Sequence, residues 1–282
     1  MTDHISNKVC LITGATSGIG LQTAIELAEA GLSVVFTARD LAKAKIVKEE
    51  IIRKTGNNKV DYFGCDLASF ESISDFHDQF KLKYPSLDIL INNAGIWETE
   101  YKESVDGIEL NLAVNYLAPF LLTNLCLEEL ERAGKSRIIN VSSGLYKRGK
   151  IDFNDLEMKK TFSSWPAYSR TKLALVLFTK ELAKRLDSSK ITVNALAPGF
   201  VRTNLGHDFP LIQRLAMKLL AVSTKKGAAT SVYLALNNDV EKTTGKFFEN
   251  SQEQETTPEA NDEIEAQKLW QIAESYLKNY MH

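Results

Sequence analysis

The chain has 282 residues, a formal net charge of −2 at pH 7 and a sequence pI of about 6.2. Its length allows one large α/β domain, and its slightly acidic balance offers none of the basic surface typical of a nucleic-acid-binding protein. Hydrophobic residues make up 44% of the chain, but no uninterrupted apolar run reaches the roughly 18 to 20 residues of a membrane helix, so no integral membrane segment is predicted.

The first predicted strand and the turn after it form a candidate nucleotide-binding loop. Val9–Ile12 is a continuous apolar run, typical of a strand buried on both faces of a parallel sheet. The turn has G-x-x-x-G-x-G spacing and leads into an amphipathic helix predicted over residues 21–30. Glycines let the backbone approach a pyrophosphate, and a helix N-terminus supplies N–H donors. We therefore predict dinucleotide binding, with a plain tight turn as the alternative. The candidate contacts are Gly14, Ser17, Gly18, Ile19 and Gly20.

The end of the second strand bears on the choice between NAD and NADP. This strand is predicted over residues 33–37, and NAD-binding folds usually place an acidic residue at its end to hold the ribose 2′-hydroxyl. Ala38 occupies that place, and Arg39 follows it. A guanidinium can pair bidentately with a 2′-phosphate, so the pattern favours NADP, with a solvated surface arginine as the alternative. Asp40 is predicted to cap the next helix, residues 41–54.

Two further strand ends carry candidate contacts with the cofactor. The strand over residues 60–65 leads to Asp66 and Leu67, and the third strand of a doubly wound sheet borders the adenine pocket. Asp66 is predicted either to bind the adenine amino group or to cap a turn before the helix over residues 70–84. The strand over residues 87–91 ends in a turn whose small side chains leave room for a ligand. The candidate contacts in this turn are Asn93, Ala94 and Gly95.

Polar residues also interrupt the next helix and end the next strand. A helix is predicted over residues 108–132, and Asn115 lies on its apolar face. A buried asparagine needs hydrogen-bonding partners, so Asn115 is predicted either to be satisfied by backbone or to belong to a site. The fifth strand, residues 137–141, ends at Ser142 and Ser143. Their hydroxyls would lie at the carboxyl edge of the sheet, where ligands bind, with a serine-rich turn as the alternative.

Tyr168 and Lys172 lie in the first part of a helix predicted to run to about residue 186, after a functional loop over residues 147–164. On a helix, positions i and i+4 share one face. A free phenol has a pKa near ~10, and an adjacent ammonium lowers that pKa, which makes the phenol a usable general acid or base. The alternative is a half-buried tyrosine beside a solvated lysine.

The rest of the chain is predicted to complete one domain. A sixth strand over residues 191–197 ends at Pro198 and Gly199. Residues 200–222 hold a basic, apolar helix candidate, predicted as a substrate lid, with a membrane-surface helix or packed core as alternatives. The later predictions are a helix over 225–236, a strand over 245–248, an acidic loop over 251–262 and an amphipathic helix over 264–280. With neither repeats nor a long linker, residues 1–282 are predicted as a single domain with a core over 8–248, the lid at about 200–222 and a C-terminal helix over 263–280.

The cysteines, histidines and N-terminus bear on location and metal binding. Cys10, Cys65 and Cys126 lie in apolar surroundings without C-x-x-C spacing, which indicates buried thiols in a reducing compartment. The first eight residues lack the apolar segment of a signal peptide. We therefore expect a cytoplasmic protein. The four histidines are scattered without metal-ligand spacing, so no metal site is predicted.

Taken together, the motifs resemble those of the short-chain dehydrogenase/reductase family, classical type, from about residue 8 to residue 248. Thr13 to Gly20 matches the TGxxxGxG loop, and the turn at residues 92–95 matches NNAG. Tyr168 to Lys172 matches YxxxK, and residues 198–199 match the PG motif. Within the family, the chain is most similar to the retinol dehydrogenase-like group. The resemblance implies a doubly wound parallel sheet of the Rossmann type, with helices on both faces in three α/β/α layers.

The resemblance also implies a role for each matching residue. Tyr168 would donate or accept the proton of the substrate oxygen, and Lys172 would lower its pKa and hold the nicotinamide ribose. Ser143, with Ser142 as the neighbouring candidate, would orient the substrate oxygen, and Asn115 would support a proton relay through water. The remaining implied cofactor contacts are Arg39, Pro198, Gly199, Val201 and Thr203.

These roles imply an NADP(H)-dependent oxidoreductase that transfers hydride between nicotinamide and a carbonyl/alcohol pair. The expected substrate is apolar: a retinal/retinol-like compound, a steroid or another aldehyde or ketone. NADP(H) is favoured over NAD(H), and a homodimer or homotetramer is the default for the family. Two alternatives keep the fold: a non-catalytic NADPH-binding regulator, and an isomerase or dehydratase, which usually alters the tyrosine–lysine pair.

Overall fold

The computed structural model describes residues 8–199 and 223–281, and its centre is an eight-stranded sheet. The strand order is β3-β2-β1-β4-β5-β6-β7-β8. The pairs from β3 through β7 are parallel, whereas β8 runs antiparallel to β7. The strands are β1 (Val9–Ile12), β2 (Ser33–Ala38), β3 (Val60–Gly64), β4 (Ile89–Asn92), β5 (Ser136–Val141), β6 (Ile191–Ala197), β7 (Phe247–Glu249) and β8 (Gln252–Gln254).

Helices cover both faces of this sheet and give the predicted three layers. We number them in chain order as α1 (Gly18–Glu29), α2 (Leu41–Thr55), α3 (Phe70–Lys83), α4 (Leu110–Leu112), α5 (Ala118–Leu125), α6 (Leu127–Arg132), α7 (Ser164–Arg185), α8 (Thr224–Leu236) and α9 (Glu263–Leu277). One apolar cluster joins the sheet to α1, α2 and α8, and another joins it to α3–α7 and α9. The predicted doubly wound α/β fold is confirmed.

The apolar strand sequences explain why both faces are covered. In β1, Leu11 belongs to one cluster, whereas Cys10 and Ile12 belong to the other, as the alternation of side chains along a strand requires. All three are fully buried. Between β1 and its neighbours β2 and β4 the strand order reverses, and such a reversal opens a crevice at the carboxyl ends of the strands.

The predicted helix over residues 108–132 is interrupted twice. Ala113–Leu117 forms a π turn between α4 and α5, and a second break lies at Cys126, between α5 and α6. Pro119 lies in the first turn of α5 and has no N–H to donate to the carbonyl four residues back. The wider π turn accommodates this missing hydrogen bond. It also contains Asn115, and π turns inside helices often occur at functional sites.

Three other boundaries differ from the sequence predictions. Helix α1 begins at Gly18 rather than at residue 21, so the last glycines of the loop form its first turn. Helix α7 begins at Ser164, four residues before Tyr168. The acidic segment over residues 251–262, predicted as a loop, contains the edge strand β8, whose polar residues pair with the short strand β7.

The C-terminal helix α9 packs across α5 and α7. The Trp270 ring lies 4.7 Å from the Phe120 ring and 5.8 Å from that of Phe178, and the Tyr116 hydroxyl donates to the Leu269 carbonyl over 3.1 Å. Burial of large aromatic rings contributes strongly to such contacts. Over residues 8–199 and 223–281, the structure contains no helix long and apolar enough to span a membrane.

Candidate active site

A cleft of about 500 Å³ lies at the carboxyl ends of the central strands. It brings together residues that are distant in sequence but were predicted to form one site. The predicted site residues that line it are Gly14, Ser17, Gly18, Ile19, Gly20, Arg39, Asp66, Leu67, Asn93, Ala94, Gly95, Tyr168, Lys172 and Pro198.

At one end of the cleft, the glycine loop is compact because it carries no side chains at its closest contacts. A Cβ added at Gly20 would lie 2.4 Å from the Gly14 carbonyl oxygen, and Gly14 itself has a φ of +68°. Ser17 precedes α1 without capping it through its side chain, and the first turn has no acidic residue. The N–H groups of this turn are therefore left for a ligand, and a helix N-terminus of this kind binds anions.

Two residues hold the glycine loop against the end of β4: Asn93, which follows that strand, and Thr13, which precedes Gly14. The Asn93 side chain donates to the carbonyls of Thr13 and Gly14 over 2.7 and 3.3 Å. The Thr13 hydroxyl in turn accepts from the backbone N–H groups of Asn93 and Ala94, both over 3.0 Å. Asn93 thus acts on the cleft by positioning the glycine loop. Our sequence predictions omitted Thr13 as a positioning residue, although it belongs to the matched motif.

The charged residues at the ends of β2 and β3 lie on the same side of the cleft. Arg39 lines the cleft and is exposed. The neighbouring Asp40 is engaged elsewhere, because its side chain caps α2 by accepting from the Lys43 N–H over 3.0 Å, as predicted. Asp66 lines the cleft and also accepts from the Ala68 N–H over 3.0 Å, so it caps a turn as the alternative interpretation proposed.

At the other end, Tyr168 and Lys172 lie one turn apart on α7 and are almost fully buried, with exposed fractions of 4% and 3%. The Lys172 Nζ is 5.6 Å from the centre of the Tyr168 ring and donates to the Val141 carbonyl over 3.1 Å. Burial lowers the pKa of Lys172 to about 8, because an ammonium is poorly solvated there.

Burial also raises the pKa of Tyr168, because the phenolate would lose its hydration. Ser143 opposes part of this change as a hydrogen-bonding partner of the phenol. The sequence had indicated that the neighbouring lysine would dominate and lower this pKa. In the structure without cofactor, desolvation has the larger effect, so Tyr168 is a protonated group at neutral pH.

The two serines at the end of β5 have different surroundings. The Ser142 hydroxyl is buried and donates to the Lys172 backbone carbonyl over 2.9 Å, which connects β5 to α7. The Ser143 hydroxyl is partly exposed and accepts from the Leu145 N–H over 3.2 Å at the start of a short 3-10 helix, Gly144–Arg148. Of the two, Ser142 lines the cleft, whereas Ser143 interacts with the Tyr168 phenol.

Asn115 is fully buried behind the cleft rather than on its surface. Its side-chain oxygen accepts from the Ile96 N–H over 2.8 Å, and its side-chain nitrogen donates to the Ile96 carbonyl and the Thr171 hydroxyl over 2.9 and 3.1 Å. A Cβ at Gly95 would lie 3.3 Å from the Asn115 oxygen and 3.2 Å from the Lys172 Nζ. Asn115 therefore connects the turn after β4 to α7, next to the lysine.

Trp97, which our sequence predictions omitted, stacks on Tyr168. The two ring centres are 4.3 Å apart, and the ring planes differ by 7°. Trp97 also lines the cleft and is 6% exposed. A tryptophan two residues after the turn at residues 92–95 carries no spacing signal of its own, so only the three-dimensional arrangement reveals this contact.

Other predicted residues lie away from this part of the cleft. Gly199 is exposed and has a φ of +76°, which suits a glycine after a strand. Val201, Thr203 and the predicted lid at residues 200–222 lie outside the described residues.

A separate buried cluster contains potential metal ligands. His77 Nε2 lies 3.1 Å from Glu129 Oε2, and Cys126 adds a thiol, with all potential ligand atoms within 4.8 Å of one another. The imidazole–carboxylate contact gives both buried polar side chains a partner. Burial raises the pKa of the Cys126 thiol. The cluster joins α3 to α6, which no spacing in the sequence indicates.

Comparisons with known proteins agree with this geometry. The profile of the short chain dehydrogenase family matches residues 8–211. Retinol dehydrogenase 14 of Mus musculus is 43% identical to the chain over 283 residues, covering 95% of this chain and 85% of the relative.

Solved structures support the same assignment. A crystal structure of an uncharacterised protein from Mycobacterium paratuberculosis superimposes with a TM-score of 0.78 at 32% identity, covering 96% of this chain and 93% of the other. The NADPH-dependent 3-quinuclidinone reductase from Rhodotorula rubra gives a TM-score of 0.69 at 25% identity, covering 86% of this chain and 88% of that enzyme. The chain therefore belongs to the short chain dehydrogenase family and is an oxidoreductase of its retinol dehydrogenase-like group.

Proposed function

We propose that the protein is an NADP(H)-dependent oxidoreductase that interconverts an apolar aldehyde or ketone and its alcohol. The observation that carries this proposal is the convergence of two features on one cleft. The uncapped start of α1 is suited to a pyrophosphate. The buried Tyr168–Lys172 pair, with Ser143 beside it, is suited to proton transfer. The pair is intact, which favours an enzyme over a non-catalytic regulator or an isomerase.

The residues lining the cleft fit a phosphorylated dinucleotide. The backbone of Gly18–Gly20 would hold the pyrophosphate, and the exposed Arg39 would pair with a 2′-phosphate. Asp66 and Leu67 would border the adenine, and Lys172 would hold the nicotinamide ribose. When bound, NADP(H) supplies or accepts the hydride. The reductase from Rhodotorula rubra, which is named as NADPH-dependent, supports the same choice.

The remaining cofactor contacts are proposed on the resemblance and, for the turn after β4 and Pro198, on their place in the lining of the cleft. The turn after β4 would face the nicotinamide side through Asn93, Ala94 and Gly95. The segment after β6 would complete that side. Its proposed contacts are Pro198, Gly199, Val201 and Thr203.

Proton transfer is the part of the reaction that this chain's own side chains perform. In the reductive direction, Tyr168 gives its phenolic proton to the substrate oxygen as negative charge develops there. Ser143 donates a second hydrogen bond to that oxygen, which orients it and stabilises the charge. The Lys172 ammonium then stabilises the phenolate that remains. Asn115, hydrogen-bonded to the turn beside this lysine, would order the route by which a proton returns from water.

The proposed substrate class follows from the apolar side of the cleft. Leu110, Val114 and Trp97 line the same cleft as Tyr168. Apolar walls with few polar groups are typical of sites for apolar small molecules. The mouse relative is named a retinol dehydrogenase, which places retinal- or retinol-like compounds among the first to test, together with steroids and other carbonyl compounds.

The test is NADPH oxidation by the purified protein with decanal, retinaldehyde, a ketosteroid and cyclohexanone. We expect turnover of at least one of the apolar substrates. Tyr168→Phe should lower kcat by roughly 10²- to 10⁴-fold, the usual contribution of a general acid, while NADPH binding is retained. Tyr233→Phe, on the distant helix α8, is the matched control. NADPH binding without any turnover would favour the regulator, and a Tyr168→Phe variant as fast as the parent would contradict the proton-donor role.

We also infer a cytoplasmic location and a homodimer or homotetramer. The location is supported by Cys10, Cys65 and Cys126, which are all free and buried. The assembly is supported by the family resemblance. Cell fractionation tests the first inference, with recovery in a membrane fraction as the contrary result. Light scattering on the purified protein tests the second, with a monomer mass as the contrary result.

A further inference from the structure

The indole of Trp97 covers one face of the Tyr168 phenol. The ring centres are 4.3 Å apart and the planes are nearly parallel, at 7°. The two side chains form their own small apolar cluster, against which Leu145 packs. The stack thus restricts the plane of the phenol and separates one of its faces from solvent.

The indole is fixed from several sides. Its N–H donates to the Ser164 hydroxyl over 2.9 Å, and that hydroxyl donates to the Glu98 carbonyl over 2.7 Å. Ser164 begins α7, the helix that carries Tyr168. Trp165 meets Trp97 in a T-shaped contact, with ring centres 4.6 Å apart.

The backbone on either side of Trp97 is held as well. Asn115 binds both the N–H and the carbonyl of Ile96, over 2.8 and 2.9 Å. The Glu98 N–H donates to the Asn111 side chain over 3.0 Å. Both flanks of Trp97 are thus anchored to the helical segment around the π turn, which fixes the backbone, and rotation of the indole away from the phenol would break its hydrogen bond to Ser164.

These contacts have a chemical consequence for the phenol. The faces of aromatic rings are electron-rich, so an indole face next to a phenolate is less favourable than one next to a neutral phenol. Water that is kept from the ring cannot solvate the phenolate either. Both effects stabilise the protonated form of Tyr168, the form that gives a proton to a carbonyl oxygen.

We propose that Trp97 is a positioning residue of the oxidoreductase reaction proposed above: it fixes the plane of the Tyr168 phenol, keeps water from one ring face and so maintains the tyrosine as a proton donor. The proposal rests on that function but concerns a residue that does not itself exchange protons. It predicts that loss of the stack changes proton transfer, and that an aromatic replacement restores it.

The experiment compares Trp97→Leu, which removes the stack, with Trp97→Phe, which keeps an aromatic face and loses the indole N–H. Trp270→Phe is the matched control, because Trp270 lies on α9 and packs against Phe178 of α7. Reduction of the best substrate among decanal, retinaldehyde, a ketosteroid and cyclohexanone is followed against pH. For Trp97→Leu we expect kcat to fall roughly 10- to 100-fold, as for a misplaced catalytic group, with a much smaller change in KM.

The pH dependence gives the readout that a merely structural role would not change. The groups that face the phenol are the Ser143 hydroxyl and Lys172, whose ammonium loses its proton near pH 8 and adds an alkaline limb of its own. The protonated phenol is the active form in reduction, so a second fall in kcat, at higher pH, follows the pKa of Tyr168. Wetting the ring lowers this pKa, so this second limb for Trp97→Leu should move to lower pH by about one unit, the usual spread of protein pKa values. Ultraviolet titration of the phenolate in the cofactor-free protein, with Tyr168→Phe as the blank, should show the same shift.

Trp97→Phe should restore both kcat and the pH profile to near the values of the parent. Either an unchanged kcat and pH profile in Trp97→Leu, or a loss confined to KM, would overturn the proposal. So would a Trp97→Phe variant as impaired as Trp97→Leu, since the stack would then not be the cause. If Trp97→Leu does not fold, Trp97→Met, which also removes the aromatic face but fills more of the space, takes its place under the same criteria. An inactive parent would overturn the oxidoreductase proposal together with this one, whereas an active parent with an unaffected Trp97→Leu overturns this one alone.

Discussion

The two ends of the cleft are built in different ways. The end at the glycine loop presents backbone N–H groups and an exposed arginine, and its glycines allow the backbone to pack closely. The end at α7 presents buried side chains whose protonation is set by loss of water: Lys172 is shifted to a lower pKa and Tyr168 to a higher one. In the proposed function, cofactor binding thus relies on backbone geometry and proton transfer on desolvation, so the two ends should respond differently to substitution and to pH.

The largest effect is expected at the α7 end, from replacing Ser143 rather than its neighbour Ser142. Ser143→Ala should lower kcat by about 10²- to 10³-fold, the usual loss when a donor to a developing oxyanion is removed. Ser142→Ala is the matched variant: it loses the hydrogen bond to the Lys172 carbonyl, which should cost about 1 kcal/mol of stability with a smaller loss of rate. Steady-state kinetics and urea unfolding of both variants measure this difference. A larger kcat loss for Ser142→Ala would reverse our assignment.

The next largest effect concerns the stability of the cofactor-free protein as a function of pH. The pKa of Lys172 is about 8 in the folded protein and 10.5 in its reference state. Between these values the unfolded chain binds the extra proton, so the contribution of Lys172 to stability rises with pH across this window. The full difference corresponds to roughly 3 kcal/mol.

Lys172→Met should remove this contribution: it should unfold at higher urea concentration than the parent at pH 7 and approach the parent toward pH 10, although it loses activity. Urea unfolding at pH 7, 8, 9 and 10 measures the effect. Lys45→Met, at an exposed position of α2, is the matched control. Parallel stability curves for the parent and Lys172→Met would show that the lysine is not desolvated as described.

A smaller effect is expected at the glycine end. In Gly20→Ala the new Cβ would meet the Gly14 carbonyl at 2.4 Å, so the loop must shift, at a cost of about 2 kcal/mol. NADPH affinity should fall accordingly, while the pH dependence of kcat stays that of the parent. Gly64→Ala, where the nearest side-chain atom would be 3.5 Å away, is the control. Equal NADPH affinity of Gly20→Ala and the parent, measured by fluorescence titration, would contradict the close packing of Gly20 against the Gly14 carbonyl.

The smallest effect is expected from Arg39→Ala. Its guanidinium is exposed, so its hydrogen bonds to a 2′-phosphate should contribute about 1.5 kcal/mol, or roughly tenfold in affinity. The loss should apply to NADPH and leave NADH binding unchanged. Arg53→Ala, exposed near the end of α2, serves as control. Tighter binding of NADH than of NADPH by the parent would exclude the phosphate assignment.

Sequence patterns predicted the parts of the fold that follow from local chemistry. The apolar run of β1, the glycine loop and the Asp40 cap each rest on a few adjacent residues, and each lies where it was predicted. The π turn was not predicted, because it depends on how Asn115 and Pro119 meet other segments. The edge strand β8 was read as a loop because its three residues are polar.

The site shows the same division between local and long-range contacts. The i,i+4 spacing of Tyr168 and Lys172 is visible in the sequence, and so is their common helix face. The direction of the Tyr168 pKa shift was not, because burial of the phenol depends on segments distant in the sequence, such as the one that carries Trp97. Burial of a titratable group is a property of the tertiary structure, so the direction of the resulting pKa shift cannot be inferred from one neighbour.

The antiparallel strand β8 restricts how copies of the chain can associate. It ends the sheet with only three residues, Gln252 and Glu253 are exposed, and Glu253 pairs with Lys246 over 2.8 Å. Short, charged outer strands resist the addition of a further strand from another molecule. A continuous sheet shared between two subunits is therefore disfavoured on this side, and a dimer should be sought through helical surfaces or the opposite margin of the sheet.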